Sequence, residues 1–144
     1  MAVVERIVIR ATANGPGIEL QTAKVAPGGG IDGDRYANGT GSFYKPGKPG
    51  QDVTLIEAEA LEDVGLTAAD SGRNVVTRGI GLNELVGKRF RIGAVELRGA
   101  ELCHPCRTLR DRTGVFRELV GRGGLCADVL VAGEFGPGDE IEVL

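Results

Sequence analysis

Glycine divides this chain into short segments, and that division constrains its fold more than any other feature of the sequence. The 144 residues include 24 glycines. The apolar segments between them are short and resemble strands rather than long helices. Strand-like segments occur at 6–11, 52–56, 74–77, 88–92, 95–102, 127–132 and 140–144. The pattern predicts a mostly β protein and excludes a helical bundle.

Two turn signals favour antiparallel pairing of these strands. Gly93-Ala94 separates two strand-like segments and places glycine first, as in a type II′ hairpin turn. Pro137-Gly138 suits the central positions of a type II turn. Helix formers are concentrated at 57–63, and 114–120 is a weaker helical candidate. We expect a closed β-barrel or closed sandwich with one or two short helices, because closure removes exposed sheet edges.

The length and cysteine content predict one domain, 1–144, in a reducing compartment. A chain of 144 residues can bury a sufficient core without metal or disulfide support. Cys103, Cys106 and Cys126 form an odd set with one close pair, unlike the framework of a secreted domain. No segment approaches the roughly 20 apolar residues that span a bilayer, and charges interrupt the N-terminal apolar segment, unlike a signal peptide. A cytoplasmic protein without a membrane partner is expected.

Charge and aromatic content argue against a nucleic-acid partner. The net charge is -3, and aromatic residues make up 4% of the chain. Between residues 107 and 122, however, arginine outnumbers the acidic residues. Arginine offers fixed pairs of donors suited to phosphate or carboxylate, so this cluster favours a small anion beside the cysteines. A solvated helix face is the alternative interpretation.

The loop Cys103-His104-Pro105-Cys106 follows a strand-like segment and allows several chemistries. It can form a reversible disulfide, contribute to a zinc site with Cys126, or leave a thiolate that holds a soft metal or carries sulfur. The adjacency of Cys103 and His104 makes zinc binding by both awkward. Cys126 is interpreted as a small buried residue. His104 either tunes the thiols or is an exposed loop residue.

An ordered set of motifs extends the interpretation from about Gly33 to the C-terminus. The chain resembles the MOSC domain, named after the C-terminal domain of molybdenum cofactor sulfurases, and short stand-alone members of that family exist. The motifs that carry the resemblance are Asp52-Val53-Thr54-Leu55-Ile56-Glu57 followed by Glu59-Ala60-Leu61, Gly72-Arg73-Asn74-Val75-Val76-Thr77-Arg78-Gly79, Leu82-Asn83-Glu84-Leu85-Val86-Gly87, Phe90-Arg91-Ile92-Gly93, Leu102-Cys103-His104-Pro105-Cys106, Gly123-Gly124-Leu125 and Gly136-Pro137-Gly138-Asp139.

The resemblance implies a β-barrel associated with molybdenum cofactor or with cysteine-bound sulfur. Cys106 matches the thiolate that ligates molybdenum in cofactor-bearing members, and Cys103 and His104 are the other candidate catalytic residues. The chain has Gly72 where many members have a second arginine, so one anion contact is expected to be missing. The candidate residues for binding the pterin or its phosphate are Arg73, Asn74, Gly33, Asp34, Arg35, Arg107, Arg122 and Gly123.

Three functions are compatible with these residues. In the first, the bound cofactor reductively removes oxygen from an N-hydroxylated compound, and an electron-donor protein is needed because no flavin or iron–sulfur motif is evident. In the second, Cys106 carries a persulfide received from a sulfur donor, and Cys103 resolves it as a disulfide. In the third, the protein is a non-catalytic module that stores or delivers the cofactor.

Overall fold

The computed structural model describes residues 1–12, 15–37, 39, 45–104, 109–110 and 113–144. Within these ranges short α-helices include α1 (Ala58–Val64) and α2 (Ala68–Ser71), and 3-10 helices occur at Leu82–Leu85 and Arg117–Leu119. The strands are β1 (Val3–Ile9), β2 (Ile18–Leu20), β3 (Ala23–Ala26), β4 (Gly30–Ile31), β5 (Val53–Glu57), β6 (Val75–Arg78), β7 (Arg89–Ile92), β8 (Val95–Leu102), β9 (Leu125–Val131), β10 (Gly133–Phe135) and β11 (Ile141–Val143). No helix within the described ranges is long and apolar enough to cross a membrane.

The strands form two sheets around one apolar core. The larger sheet has the order β11-β7-β8-β9-β5-β6-β1-β2, and the smaller one has the order β10-β3-β4. Pairing is antiparallel except between β5 and β6, which are parallel and are connected in sequence through α1 and α2. Side chains of both sheets, including Phe90 and Phe135, are buried in the same cluster. The mostly β class with short helices is confirmed.

The prediction of a closed barrel is wrong. In the described part of the chain, β11 and β2 remain the two edges of the larger sheet. The sheet curls enough for β1 to meet the segment before β11, through a bridge between Val3 and Glu140 and a hydrogen bond from the Val4 amide to the Asp139 carbonyl. This contact stops there because β2 occupies the same edge of β1 from Ile7 onward.

The sequence pattern located the long strands and missed the short ones. Every predicted strand has a counterpart among β1, β5 to β9 and β11, and the helix predicted at 57–63 is α1. The segment at 114–120 forms only the 3-10 turn Arg117–Leu119. Turns are present at both predicted places: Gly93-Ala94 connects the paired strands β7 and β8 as a two-residue hairpin with Gly93 at φ 57, and the Asp139 amide donates to the Gly136 carbonyl. β2, β4 and β10 have three residues or fewer, and β3 contains alanine and lysine, which favour strands weakly.

Helix α1 connects the sheet to the chain that follows the cysteine loop. Leu61 packs on Ile56 and Val76 of the sheet, and the helix ends at Gly65, which takes the left-handed conformation that glycine tolerates. Ala60 forms a separate buried cluster with Leu109 and Leu119. The segment after the loop is therefore held against the outer side of α1.

Gly124 is a position where only glycine fits, and we expect Gly124→Ala to lower the free energy of unfolding by about 2–3 kcal/mol. Its φ is 111, and an added Cβ would lie 2.1 Å from the Leu55 carbonyl oxygen, so backbone must move. Gly121→Ala is the matched control, because Gly121 also has positive φ (81) but open space around it. Its expected cost is about 1 kcal/mol. Urea unfolding measures both, and equal costs would contradict the role assigned to close packing.

Candidate functional site

A cleft of about 400 Å³ lies where β8 ends and the cysteine loop leaves the sheet. Its wall is built by residues of the neighbouring strands β8, β9 and β5 and by Arg73, which lies two residues before β6. The chemically active side chains that line it are Thr54, Arg73, Cys103, His104 and Cys126, and Tyr36, Lys48 and Gln51 line it as well. The cleft therefore brings together the Cys-His part of the loop and the arginine predicted from the sequence.

Cys106 and Arg107 lie outside the described residues, so their roles stay predictions. The structure does describe the chain on either side of them. The Cys103 amide donates to the Gly124 carbonyl at 2.8 Å, which continues the β8–β9 pairing up to the loop. After the loop, Leu109 is buried. The loop that carries Cys106 therefore starts from the cleft wall.

Arg73 connects the two sides of the cleft. Its Nε donates to the Gly123 carbonyl at 2.8 Å, and its Nη2 donates to the His104 carbonyl at 3.0 Å. Its own amide donates to the hydroxyl of Ser71 at 3.1 Å. Arg73, His104 and Gly123, which were singled out in the sequence separately, are thus neighbours. Gly123 contributes a carbonyl that holds the guanidinium, and the His104 side chain is exposed.

The side chain of Asn74 is buried and forms hydrogen bonds that link separate segments of the chain, so it is not an exposed hydrogen-bond donor at the surface. Its Oδ1 accepts from the amide of Thr54 at 3.2 Å and from the Thr54 hydroxyl at 3.1 Å. Its Nδ2 donates to the Val8 carbonyl at 3.2 Å and to Asp34 at 3.3 Å. A carboxamide has two donor hydrogens and two acceptor lone pairs, and all four are used. With 3% of its surface exposed, Asn74 orients Thr54 and the backbone beside Arg73.

The early motif Gly33-Asp34-Arg35 is also part of this internal network. Asp34 is 1% exposed and accepts from the Arg10 amide, the Tyr36 amide, Nδ2 of Asn74 and Nη1 of Arg35. The bond from the Tyr36 amide to Asp34 closes a local turn, so the Asp34 carboxylate serves the fold from within. Arg35 donates to the Gly72 carbonyl at 3.0 Å and stacks on the Tyr36 ring. Gly33, with φ 88, permits the turn.

Among the described residues, the arginine cluster does not converge on the cleft. Arg122 forms an ion pair with Asp63 of α1 at 2.8 Å, and Arg117 is exposed on its 3-10 turn. Such an exposed pair contributes little to stability. For these residues the solvated-surface interpretation is the one that the structure supports.

A disulfide joins Cys103 to Cys126, with a Cα–Cα distance of 5.7 Å. With this bond formed, Cys126 is more than a small buried residue, and Cys103 is not a free thiol that could resolve a persulfide on Cys106. The same bond removes two ligands from the alternative zinc site. This pairing was not predicted from the sequence, because 23 residues separate the two cysteines. Only the pairing of β8 with β9, in which Glu101 lies opposite Cys126, brings them together.

Sequence reasoning missed the residues at the lip of the cleft. Gln51 accepts from the Lys45 amide at 2.7 Å and donates to the Lys48 carbonyl at 3.1 Å, so it organises the preceding turn. Lys48 lies 3.9 Å from Glu101 across the lip, and both side chains are exposed. The glycine and proline content around 45–50 indicated a loop, but no pattern there indicated which side chains would line a site.

Comparisons with known proteins agree with this architecture. A family model described as MOSC domain matches residues 49–142. The YuaD protein of Bacillus subtilis superimposes with a TM-score of 0.79 at 20% identity, covering 99% of this chain and 96% of that one. YiiM from Geobacillus stearothermophilus gives 0.75 at 14% identity, covering 100% and 75%, and YiiM from Escherichia coli gives 0.67 at 16%, covering 99% and 69%. A sequence comparison with curated proteins gives no match.

Proposed function

The chain belongs to the MOSC domain family, which is associated with molybdenum cofactor, and from this premise we propose that its cleft binds that cofactor through the Cys106 thiolate. The observation that carries the proposal is the position of the cleft. It lies where the Cys103-His104 segment leaves β8, and it is bridged by Arg73, whose guanidinium donates to the carbonyls of Gly123 and His104.

The residues of the cleft suit a pterin phosphate. Its volume of about 400 Å³ falls within the range of about 300–1,000 Å³ that small-ligand sites occupy. Arg73 and Lys48 supply cationic donors, and Tyr36 supplies an aromatic face. A thiolate is a suitable protein ligand for a thiophilic metal. Cys106 supplies it by its place in the sequence, three residues after Cys103.

Each residue of the chain then has a defined task. Cys106 binds the metal, Arg73 and Lys48 hold the phosphate, and the exposed imidazole of His104 holds or delivers a proton at the mouth of the cleft. Asn74 and Asp34 orient Thr54 and the chain before Arg73 from within. The cofactor, when bound, supplies two-electron reductive removal of oxygen from an N-hydroxylated compound. Electrons come from a separate donor protein.

Metal and pterin analysis of protein purified under anaerobic conditions, from a host that makes the cofactor, tests the proposal. We expect molybdenum and pterin at near one per chain. Reduction of an amidoxime by the loaded protein with a chemical reductant identifies an enzyme. Loaded protein that is inactive towards N-hydroxylated bases and amidoximes identifies the storage or delivery module. Protein that contains neither molybdenum nor pterin contradicts cofactor binding.

A persulfide carrier is the second candidate, and the disulfide is the observation that favours it. That bond uses two of the three cysteines of the sequence, and the third is Cys106. A carrier needs a thiolate that does not form a disulfide within its own chain. Mass spectrometry after mild exposure to a sulfane-sulfur donor, such as polysulfide, tests this function, because a thiolate becomes a persulfide by accepting sulfur at the sulfane level. We expect an added sulfur on Cys106, and its absence from every cysteine would contradict the carrier.

Arg73→Ala is expected to weaken cofactor retention by about tenfold to a hundredfold, a typical effect of losing a residue that orients or holds a ligand. The substitution removes the guanidinium that spans the cleft. Arg122→Ala is the matched control and should change nothing, because Arg122 pairs with Asp63. Equilibrium dialysis followed by pterin fluorescence measures both. An equal loss of cofactor retention in the two variants would contradict the proposal that Arg73 holds the phosphate.

A further inference from the structure

The Cys103–Cys126 disulfide forms part of the cleft wall. Both cysteines line the cleft, although they differ in exposure. Cys103 is 6% exposed, whereas Cys126 is half-buried. A disulfide that faces a cleft is reachable by a molecule that enters the cleft, unlike one in the apolar core. The disulfide can therefore react with a molecule in the cleft, in addition to any contribution that it makes to stability.

The strands that the disulfide joins do not depend on it for their pairing. β8 and β9 pair antiparallel along their length, from Glu96 opposite Val131 to Leu102 opposite Leu125. One residue further on, the Cys103 amide still donates to the Gly124 carbonyl at 2.8 Å. These hydrogen bonds persist when the sulfur–sulfur bond opens. Reduction can therefore take place in the folded protein.

We propose that this disulfide is a site of thiol exchange with low-molecular-weight thiols, and that Cys126 is the sulfur attacked. The thiolate of the small molecule forms a bond to Sγ of Cys126, and the Cys103–Cys126 bond breaks. Cys103 leaves as a thiolate and takes a proton from solvent. The products are a mixed disulfide on Cys126 and a free thiol on Cys103. A second molecule of thiol then releases Cys126 as a thiol and leaves as the small-molecule disulfide.

The surroundings favour this direction of attack. The sulfur of the more exposed residue, Cys126, meets the entering thiolate, and that of the more buried residue, Cys103, leaves. Arg73 lies on the same cleft and donates to the carbonyl of His104, the residue after Cys103. A cation that lines the same cleft favours the departing thiolate over the thiol, which accelerates exchange.

The exchange also bears on the proposed function. Opening the bond returns Cys103 to a free thiol three residues before Cys106, in the Cys-X-X-Cys spacing of the loop. Cys103 can then react with sulfur carried by Cys106, so the small-thiol pool would regulate that residue. This regulatory consequence rests on the proposed function, whereas the exchange at Cys126 does not.

The test uses reduced glutathione as the probe on the folded, oxidised protein. After acid quenching, peptide mass spectrometry locates the adduct. We expect the mixed disulfide on Cys126, formed within about tenfold of its rate in guanidinium-unfolded protein, because the bond faces the cleft. The Cys106→Ser variant should form the same adduct at the same rate. The adduct on Cys126 is expected whether or not the protein binds molybdenum. Molybdenum binding is measured separately on the unsubstituted protein.

Two outcomes would overturn the exchange site. The first is a native rate lower than the unfolded rate by about a thousandfold or more, since exchange would then require opening of the fold. The second is an adduct on Cys103 or Cys106 with none on Cys126. Cys126→Ser supplies an independent check, because it should abolish that adduct. A glutathione adduct formed at unchanged yield in folded Cys126→Ser would also overturn the proposal.

Discussion

Cys106→Ala is expected to lose its molybdenum completely during purification, while the unsubstituted protein retains near one atom per chain. In this account the Cys106 thiolate forms the direct bond between the protein and the metal, and the alanine side chain has no atom that can replace it. The remaining contacts, from Arg73 and Lys48, are charge-assisted hydrogen bonds to the phosphate end. Elemental analysis of the two proteins, expressed in the same host and purified anaerobically, measures the difference.

Cys126→Ala is the matched control for that experiment. It also replaces a cysteine that lines the cleft, and it breaks the disulfide with Cys103. Because Cys126 is not a proposed ligand, this variant should keep most of its molybdenum. Retention of the metal in Cys106→Ala, or equal loss in both variants, would contradict the assignment of the ligand.

Asp34→Ala is expected to lower the free energy of unfolding by about 3–5 kcal/mol, as the removal of one partner from a buried charge network does. The carboxylate accepts four hydrogen bonds, including that from Nδ2 of Asn74 at 3.3 Å and that from the Arg10 amide at 3.1 Å. Alanine leaves these buried donors without an acceptor. Such a loss is a large fraction of the roughly 5–15 kcal/mol that stabilises a typical domain.

Asp32→Ala provides the comparison for Asp34, because Asp32 is exposed two positions earlier in the same turn region. Its expected cost lies within about 0.5 kcal/mol of zero. Urea denaturation followed by circular dichroism measures both variants. Similar midpoints for the two would contradict the view that the Gly33-Asp34-Arg35 motif has a structural role beneath the cleft.

The sequence was sufficient to predict the positions of the long strands and some of the residues of the cleft. These two predictions rest on different kinds of information. Strand positions can be predicted from the local alternation of apolar and polar residues and from the glycines between segments, because each strand buries one face in the folded protein. Arg73, His104 and Gly123 were found from motif resemblance, and the structure brings them within hydrogen-bond distance. The resemblance did not reveal that Gly123 acts through its carbonyl.

Other features depend on contacts between distant parts of the chain. Asn74 and Asp34 are 40 residues apart, and polar residues in strands and turns look alike in sequence whether they face a ligand or the interior. The Cys103–Cys126 bond requires the register of β8 and β9, including the irregularity between Gly99 and Glu101. The open sheet likewise depends on which edge of β1 is taken by β2, and no local pattern encodes that choice.

The central claim is that the Cys106 sulfur binds molybdenum, and X-ray absorption at the molybdenum edge tests it most directly. In anaerobically purified protein we expect a sulfur neighbour at single-bond distance in addition to the dithiolene pair, distinct from any short terminal sulfur. A metal centre whose only singly bonded sulfurs are those of the dithiolene would contradict the claim.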